Sequence, residues 1–142
     1  YAIVDKESGK TLGTFALMRI DRNNRVIEVG AVTYSPKLKR TRLATEAQYL
    51  LARYVFEDLE YRRYEWKCDS LNQPSRRAAE RLGFTYEGRF RQAVVYKGRN
   101  RDTDWLSMID KDWPIVKSRL EKWLSPDNFD EKSQQIKALS DF

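Results

Sequence analysis

The stretch YSPKLKRTRLATEA, residues 34–47, constrains the chain more than any other. An alternating run, VIEVGAVTY, leads into it, Pro36 cannot donate to a strand ladder, and beyond Thr41 the apolar spacing changes from two to three-and-four. A strand therefore passes through a basic loop straight into a helix. With 142 residues in all, the chain has room for one compact domain over 1–142 and not for two well-buried ones.

The other segments extend the pattern. TLGTFALMRI and VIEVGAVTY flank the turn-forming DRNN, which gives two neighbouring strands. In the second, Ile27, Val29 and Ala31 share one face and Glu28, Gly30 and Val32 the other, so the glycine leaves room for a small group beside the Glu28 carboxylate. The helix is expected over Arg42–Leu59, with Thr41 as N-cap and Leu43, Ala47, Leu50, Leu51, Tyr54, Val55 and Leu59 as its buried stripe. YRRYEWKCD reads as a strand with Tyr64, Trp66 and Cys68 on one face. A helix follows, opened near Asn72 or Pro74 and closed by Gly83. Strands are expected over Phe84–Tyr96 and Asp104–Ile109 around the polar turn KGRNRD, then a helix in DWPIVKSRLEKWL with Ile115, Val116, Leu120, Trp123 and Leu124 inward. Residues 125–142 are weakly patterned and read as a peripheral tail. The mixture predicts an α/β domain, a central sheet covered by helices.

Composition excludes several chemistries. The chain has no histidine and a single cysteine, Cys68, so no internal disulfide framework, zinc site or His-based nucleophile is expected, and a general base must be a carboxylate, tyrosine, lysine or held water. No apolar stretch approaches the roughly 20 residues of a membrane span, and YAIVDKESGK lacks the features of a signal peptide, so the chain reads as cytoplasmic. The formal charge of +6 is uneven: residues 35–53 carry five basic side chains against Glu46 alone. Such a field favours an anionic partner.

Each candidate site has two readings. Lys39, Arg40 and Arg42 beside a helix start form either a pyrophosphate site or a solvated basic loop. Glu28 is either a solvent-facing strand residue or a carboxylate beside a cleft. Asn72 and Ser75 either cap a helix or face a ligand groove, and Cys68, with no base available, reads as buried and inert.

Taken in order, IEVGAVTYSP, TRLATEAQYLLARYVFEDL, NQPSRRAAERLGFTYEGRFRQ and RDTDWLSMI resemble the GCN5-related N-acetyltransferases, over about Thr11 to Trp123, and within them the branch that holds the ribosomal-protein N-terminal acetyltransferases. The resemblance implies a mixed, mostly antiparallel sheet in which VIEVGAVTY splays from the parallel YEWKCD. The slot so opened takes the pantetheine arm of acetyl-CoA against the backbone of Val32, Thr33 and Tyr34. The family's phosphate loop falls on Lys39, Arg40, Thr41, Arg42, Leu43, Ala44 and Thr45, with Arg42 where a glycine is usual. Asn72 anchors pantetheine or a water, and Ser75 or water protonates the CoA sulfur, since the tyrosine that many members use falls on Ala79. The family's N-terminal strand and two helices are expected to be absent, the chain beginning near the second strand.

What this implies is an acetyl-CoA-dependent N-acetyltransferase, without metal, in which Glu28 takes the proton of a directly attacking amine. A peptide or protein N-terminus is the preferred acceptor and a small-molecule amine the alternative. A non-catalytic acyl-CoA-binding interaction domain is a further reading, supported by Arg42 and Ala79. No membrane partner is expected, nucleic acid is disfavoured, and both monomer and homodimer stay open.

Overall fold

The computed structural model describes residues 1–142. Six strands, β1 (Ala2–Val4), β2 (Thr11–Asp21), β3 (Val26–Tyr34), β4 (Arg63–Asp69), β5 (Thr85–Tyr96) and β6 (Arg99–Ile109), form one sheet in the order β1-β2-β3-β4-β6-β5. Every neighbouring pair is antiparallel except β3 and β4. The helices are α1 (Arg42–Arg53), α2 (Gln73–Leu82) and α3 (Trp113–Leu124). The parallel pair follows from its connection: α1 is the crossover that carries the chain back to begin β4 beside β3.

The expectation that the N-terminal strand is missing is corrected. Ala2–Val4 forms β1, pairing Ala2 with Thr14 and Ile3 with Gly13, and buries Ile3 in the core. Three residues are too short for an alternating pattern to register. A turn connects β1 to β2, with Asp5 accepting from the amides of Glu7 and Ser8.

Thr41 caps α1 through its hydroxyl, which accepts from the Ala44 amide at 3.2 Å and donates to the Leu38 carbonyl at 2.7 Å. The helix ends at Arg53 and continues as a π-turn over Tyr54–Asp58, not as α-helix to Leu59. Its buried side also differs from the expected stripe: Leu43, Leu50 and Tyr54 are exposed, whereas Tyr49, Ala52 and Phe56 are buried with Ala47, Leu51 and Val55. The reason is that α1 is covered twice, by the sheet and by α3. Tyr49 and Phe56 both stack on Trp113, and the Tyr49 hydroxyl donates to Glu121 at 2.7 Å.

Asn72 caps α2, and Gly83 closes it at φ +106° while the Phe84 amide donates to the Ala79 carbonyl. The β5–β6 hairpin turns on Lys97 and Gly98 alone, both at positive φ, so β6 begins at Arg99 instead of Asp104 and KGRNRD is mostly strand. On α3, Val116, Leu120 and Trp123 are buried but Ile115 faces solvent. The segment after α3 packs more closely than its patterning suggests: Leu139 enters the core, and the Asn128 side-chain amide donates to the carbonyls of Trp123 and Lys137. No helix is long and apolar enough to cross a membrane.

Candidate active site

β3 and β4 pair from Val26/Arg63 to Val29/Trp66 and then part. Beyond that point the β4-facing backbone of Gly30–Tyr34 has no strand opposite. The cause lies in β3 itself. Ala31 adopts φ +50°, and Ala31 and Val32 together oppose Phe15 of β2, between the pairs Gly30/Ala16 and Thr33/Thr14. This is a β-bulge, which bends its strand and re-aims the backbone that follows. Ala31, Val32 and Thr33 are exposed there, and Tyr34 is held by Gln48, whose side-chain amide donates to the phenol oxygen at 2.7 Å. Burial raises the pKa of that phenol.

Glu28 lies just before the parting, in the stretch still paired to β4, and is 4% exposed. The reading of Glu28 as an ordinary solvent-facing residue is thereby corrected. Its Oε2 accepts from Arg19 and from Lys67, each at 2.8 Å, while Oε1 has no protein partner. Nor is there room over Gly30 as alternation suggested. β2 sets Met18 opposite Glu28, and a Cβ on Gly30 would lie 2.2 Å from the Met18 sulfur. Lys67 also meets Glu65 Oε2 at 2.8 Å and sits over the Trp105 ring, Arg63 joins Glu65 to Glu87, and Ser107 donates to Glu87. This ladder of charges across the helix-free face went unread in the sequence, where only the alternation of Glu65 and Lys67 opposite Tyr64, Trp66 and Cys68 hinted at it.

At the start of α1 the amides of Arg42 and Leu43 have no acceptor, and neither does that of Arg40, a residue at φ +61°. Lys39 and Arg40 are exposed; Leu38 anchors the loop in the core and Thr45 is buried in the first helical turn. The Arg42 side chain points away from these amides, toward the Leu124 carbonyl and the Phe129 ring 4.5 Å away. The helix start is therefore open for an anion despite the missing glycine.

Asn72 and Ser75 stand where β4 runs into α2. Asn72 Oδ1 accepts from the Ser75 amide at 3.2 Å, and Ser75 Oγ accepts from Trp66 Nε1 at 3.0 Å. Ala79 is fully buried and offers no ionisable group. Burial pushes the Cys68 thiol up. No group of His, Cys, Asp or Glu is arranged to hold a metal ion.

Residues 1–85 match the Acetyltransferase (GNAT) domain family. The chain belongs to that family. This GNAT chain is similar to a crystal structure of a GCN5-related N-acetyltransferase from Brucella melitensis, with 55% identity and a TM-score of 0.96 over 99% of this chain and 63% of that one. It is also similar to an acetyltransferase structure from Chromobacterium violaceum, at 48% identity and a TM-score of 0.77 over 80% of this chain and 57% of that one. Among curated proteins it is 30% identical to YdaF of Bacillus subtilis (strain 168), named a candidate ribosomal N-acetyltransferase, over 74% of this chain and 57% of that protein. The chain thus spans about 57–63% of the length of these relatives.

Proposed function

We propose that this GNAT domain transfers an acetyl group from acetyl-CoA to a primary amine by direct attack, with a peptide or protein N-terminus as the acceptor class. The observation that carries the reading is the parting of β3 from β4 immediately beyond Val29 and Trp66, with Glu28 buried at its root. A slot edged by unpaired strand backbone suits an amide-bearing arm, and the open amides of Arg42 and Leu43 suit a diphosphate, so the residues present fit acetyl-CoA. When bound, acetyl-CoA supplies an activated thioester.

In this reading the backbone of Val32, Thr33 and Tyr34 holds the arm, and Lys39, Arg40, Thr41, Arg42, Leu43, Ala44 and Thr45 make the phosphate loop, with Arg42 contributing its amide rather than its side chain. Backbone N–H groups of the bulged strand stabilise charge developing on the acetyl oxygen. Glu28 takes the acceptor's proton at Oε1, directly or through a water, because its other oxygen is held by Arg19 and Lys67. Asn72 orients the arm or a water with its free amide nitrogen. A water, or Ser75 relaying a proton that it takes up from a water, protonates the departing sulfur, so the Ser75 hydroxyl is restored; the Trp66 N–H, donating to Ser75 Oγ, orients that hydroxyl.

The preference for a peptide terminus is supported by the likeness to YdaF and by a charge of +6, which disfavours polycationic acceptors. The test is incubation with labelled acetyl-CoA and a panel of peptides, polyamines and aminoglycosides, with acetylated amine and free thiol both measured. Equal yields of the two products on a peptide support the reading. Transfer to polyamines alone overturns the acceptor class, and tight binding without any turnover identifies a non-catalytic acyl-CoA-binding domain.

A further inference from the structure

Arg81 near the end of α2 and Arg119 in the middle of α3 meet beside the first turn of α1 without a counter-ion. Arg81 Nη1 donates to Thr45 Oγ1 at 3.1 Å, its guanidinium lies 4.8 Å from the centre of the Trp123 ring, and part of its side chain reaches solvent. Arg119 Nη2 lies against Gly83, and both its Nε and Nη2 are buried with no acceptor. Neither guanidinium has a carboxylate partner. Burial, and then the neighbouring Arg119 charge, push the Arg81 guanidinium below its ordinary value.

Two like charges that share a partly buried place are costly, and buried donors left unbonded add to the cost. The negative end of α2, at Gly83, offsets part of it. A dianion bound where Arg81 is exposed would offset the charge of both, and planar guanidinium forks match phosphate oxygens better than any other side chain does.

The position identifies which phosphate. Thr45 lies three residues beyond Arg42, within about one helical turn, ~5.4 Å, of the open amides assigned above to the diphosphate. Coenzyme A carries a third phosphate close to its diphosphate, a monoester on the ribose 3′ oxygen, which is a dianion at neutral pH. We propose that Arg81 and Arg119 form the subsite for this 3′-phosphate, with Thr45 setting the orientation of Arg81. The inference rests on the acetyl-CoA reading and goes beyond it: it assigns the pair a role in telling coenzyme A from its 3′-dephospho form.

Calorimetric titration of the full chain with coenzyme A and with 3′-dephospho-coenzyme A tests it. The wild-type chain is expected to bind coenzyme A at least about tenfold more tightly, the order of one or two charge-assisted hydrogen bonds. Arg81→Gln and Arg119→Gln should each reduce that preference below about threefold and leave the dephospho-coenzyme A affinity within about twofold of wild type. Equal affinity of the wild-type chain for both ligands overturns the 3′-phosphate subsite and leaves the acetyl-CoA reading standing. Binding of neither ligand overturns both. The wild-type comparison needs no variant, so it decides even if a substitution impairs folding, and a preference that survives in folded Arg81→Gln and Arg119→Gln removes these residues from the subsite.

Discussion

Lys67 reaches back across the parting strands to Glu28, with its Nζ 2.8 Å from Glu28 Oε2 and the same distance from Glu65 Oε2. Lys67 is the first β4 residue beyond the last paired position, Trp66, so one cation ties the root of the slot together. Its side chain is 11% exposed, and both carboxylates are more buried still.

Replacing Lys67 with Met should therefore be expensive, because it leaves two buried carboxylates without their shared partner. The expected loss is about 3 kcal/mol, the order found when one member of a buried ion pair is removed. Urea unfolding of K67M at neutral pH measures it. A loss below about 1 kcal/mol would mean that Arg19 and Arg63 suffice for the two carboxylates.

Glu28→Gln keeps the shape of the side chain and removes the base. Turnover at neutral pH should fall by about 100-fold, within the range of general-base contributions, with the acetyl-CoA Kd little changed. Steady-state kinetics paired with calorimetry separate the two effects. Unchanged turnover across the pH range would take Glu28 out of the mechanism.

Arg63 chelates Glu87 with two hydrogen bonds and holds its pKa at about 2, below the ordinary carboxylate value of 4.5. A folded-state pKa below the unfolded one contributes stability that is fully present above about pH 4.5 and is lost as pH falls toward 2. The Glu87 side chain is 41% exposed, so solvent screens the pair and its worth stays within about 1 kcal/mol. Glu87→Gln should flatten the stability profile between pH 4.5 and 2 and leave its slope above pH 5 unaltered, as read from urea midpoints across that range.

Gly83 is required twice, by its φ of +106° and by Val116, whose Cγ2 would lie 2.8 Å from an added Cβ. Gly83→Ala should cost about 2 kcal/mol, strain and overpacking together. A cost under about 0.5 kcal/mol in urea unfolding would show that α2 can end without a left-handed residue.

Gly83 also shows what the sequence made legible. Caps are local chemistry, so Thr41, Asn72 and Gly83 mark helix boundaries that the structure keeps, and the passage from β3 through a basic loop to α1 could be read in place. What depends on a second element could not. The buried side of α1 departs from the expected stripe because α3 covers Tyr49 and Phe56, which periodicity toward a single surface leaves out. The burial of Glu28 was hidden because its cations come from β2 and β4, and the space over Gly30 because β2 fills it with Met18. Arg81 and Arg119 are far apart in sequence and meet only when α2 and α3 pack. The bulge at Ala31 carries no sequence signal, since the residue that adopts positive φ there is not glycine.

That bulge and the helix start beyond it are where the central claim is most exposed to test. Amide chemical shifts of the labelled chain, followed through a titration with coenzyme A, report which backbone groups meet the ligand. If the parted strands and the start of α1 form the binding slot, the largest changes fall on Ala31–Tyr34 and on Arg42–Ala44. Saturable binding whose shifts spare both segments, or no binding at millimolar coenzyme A by a folded chain, would contradict the account.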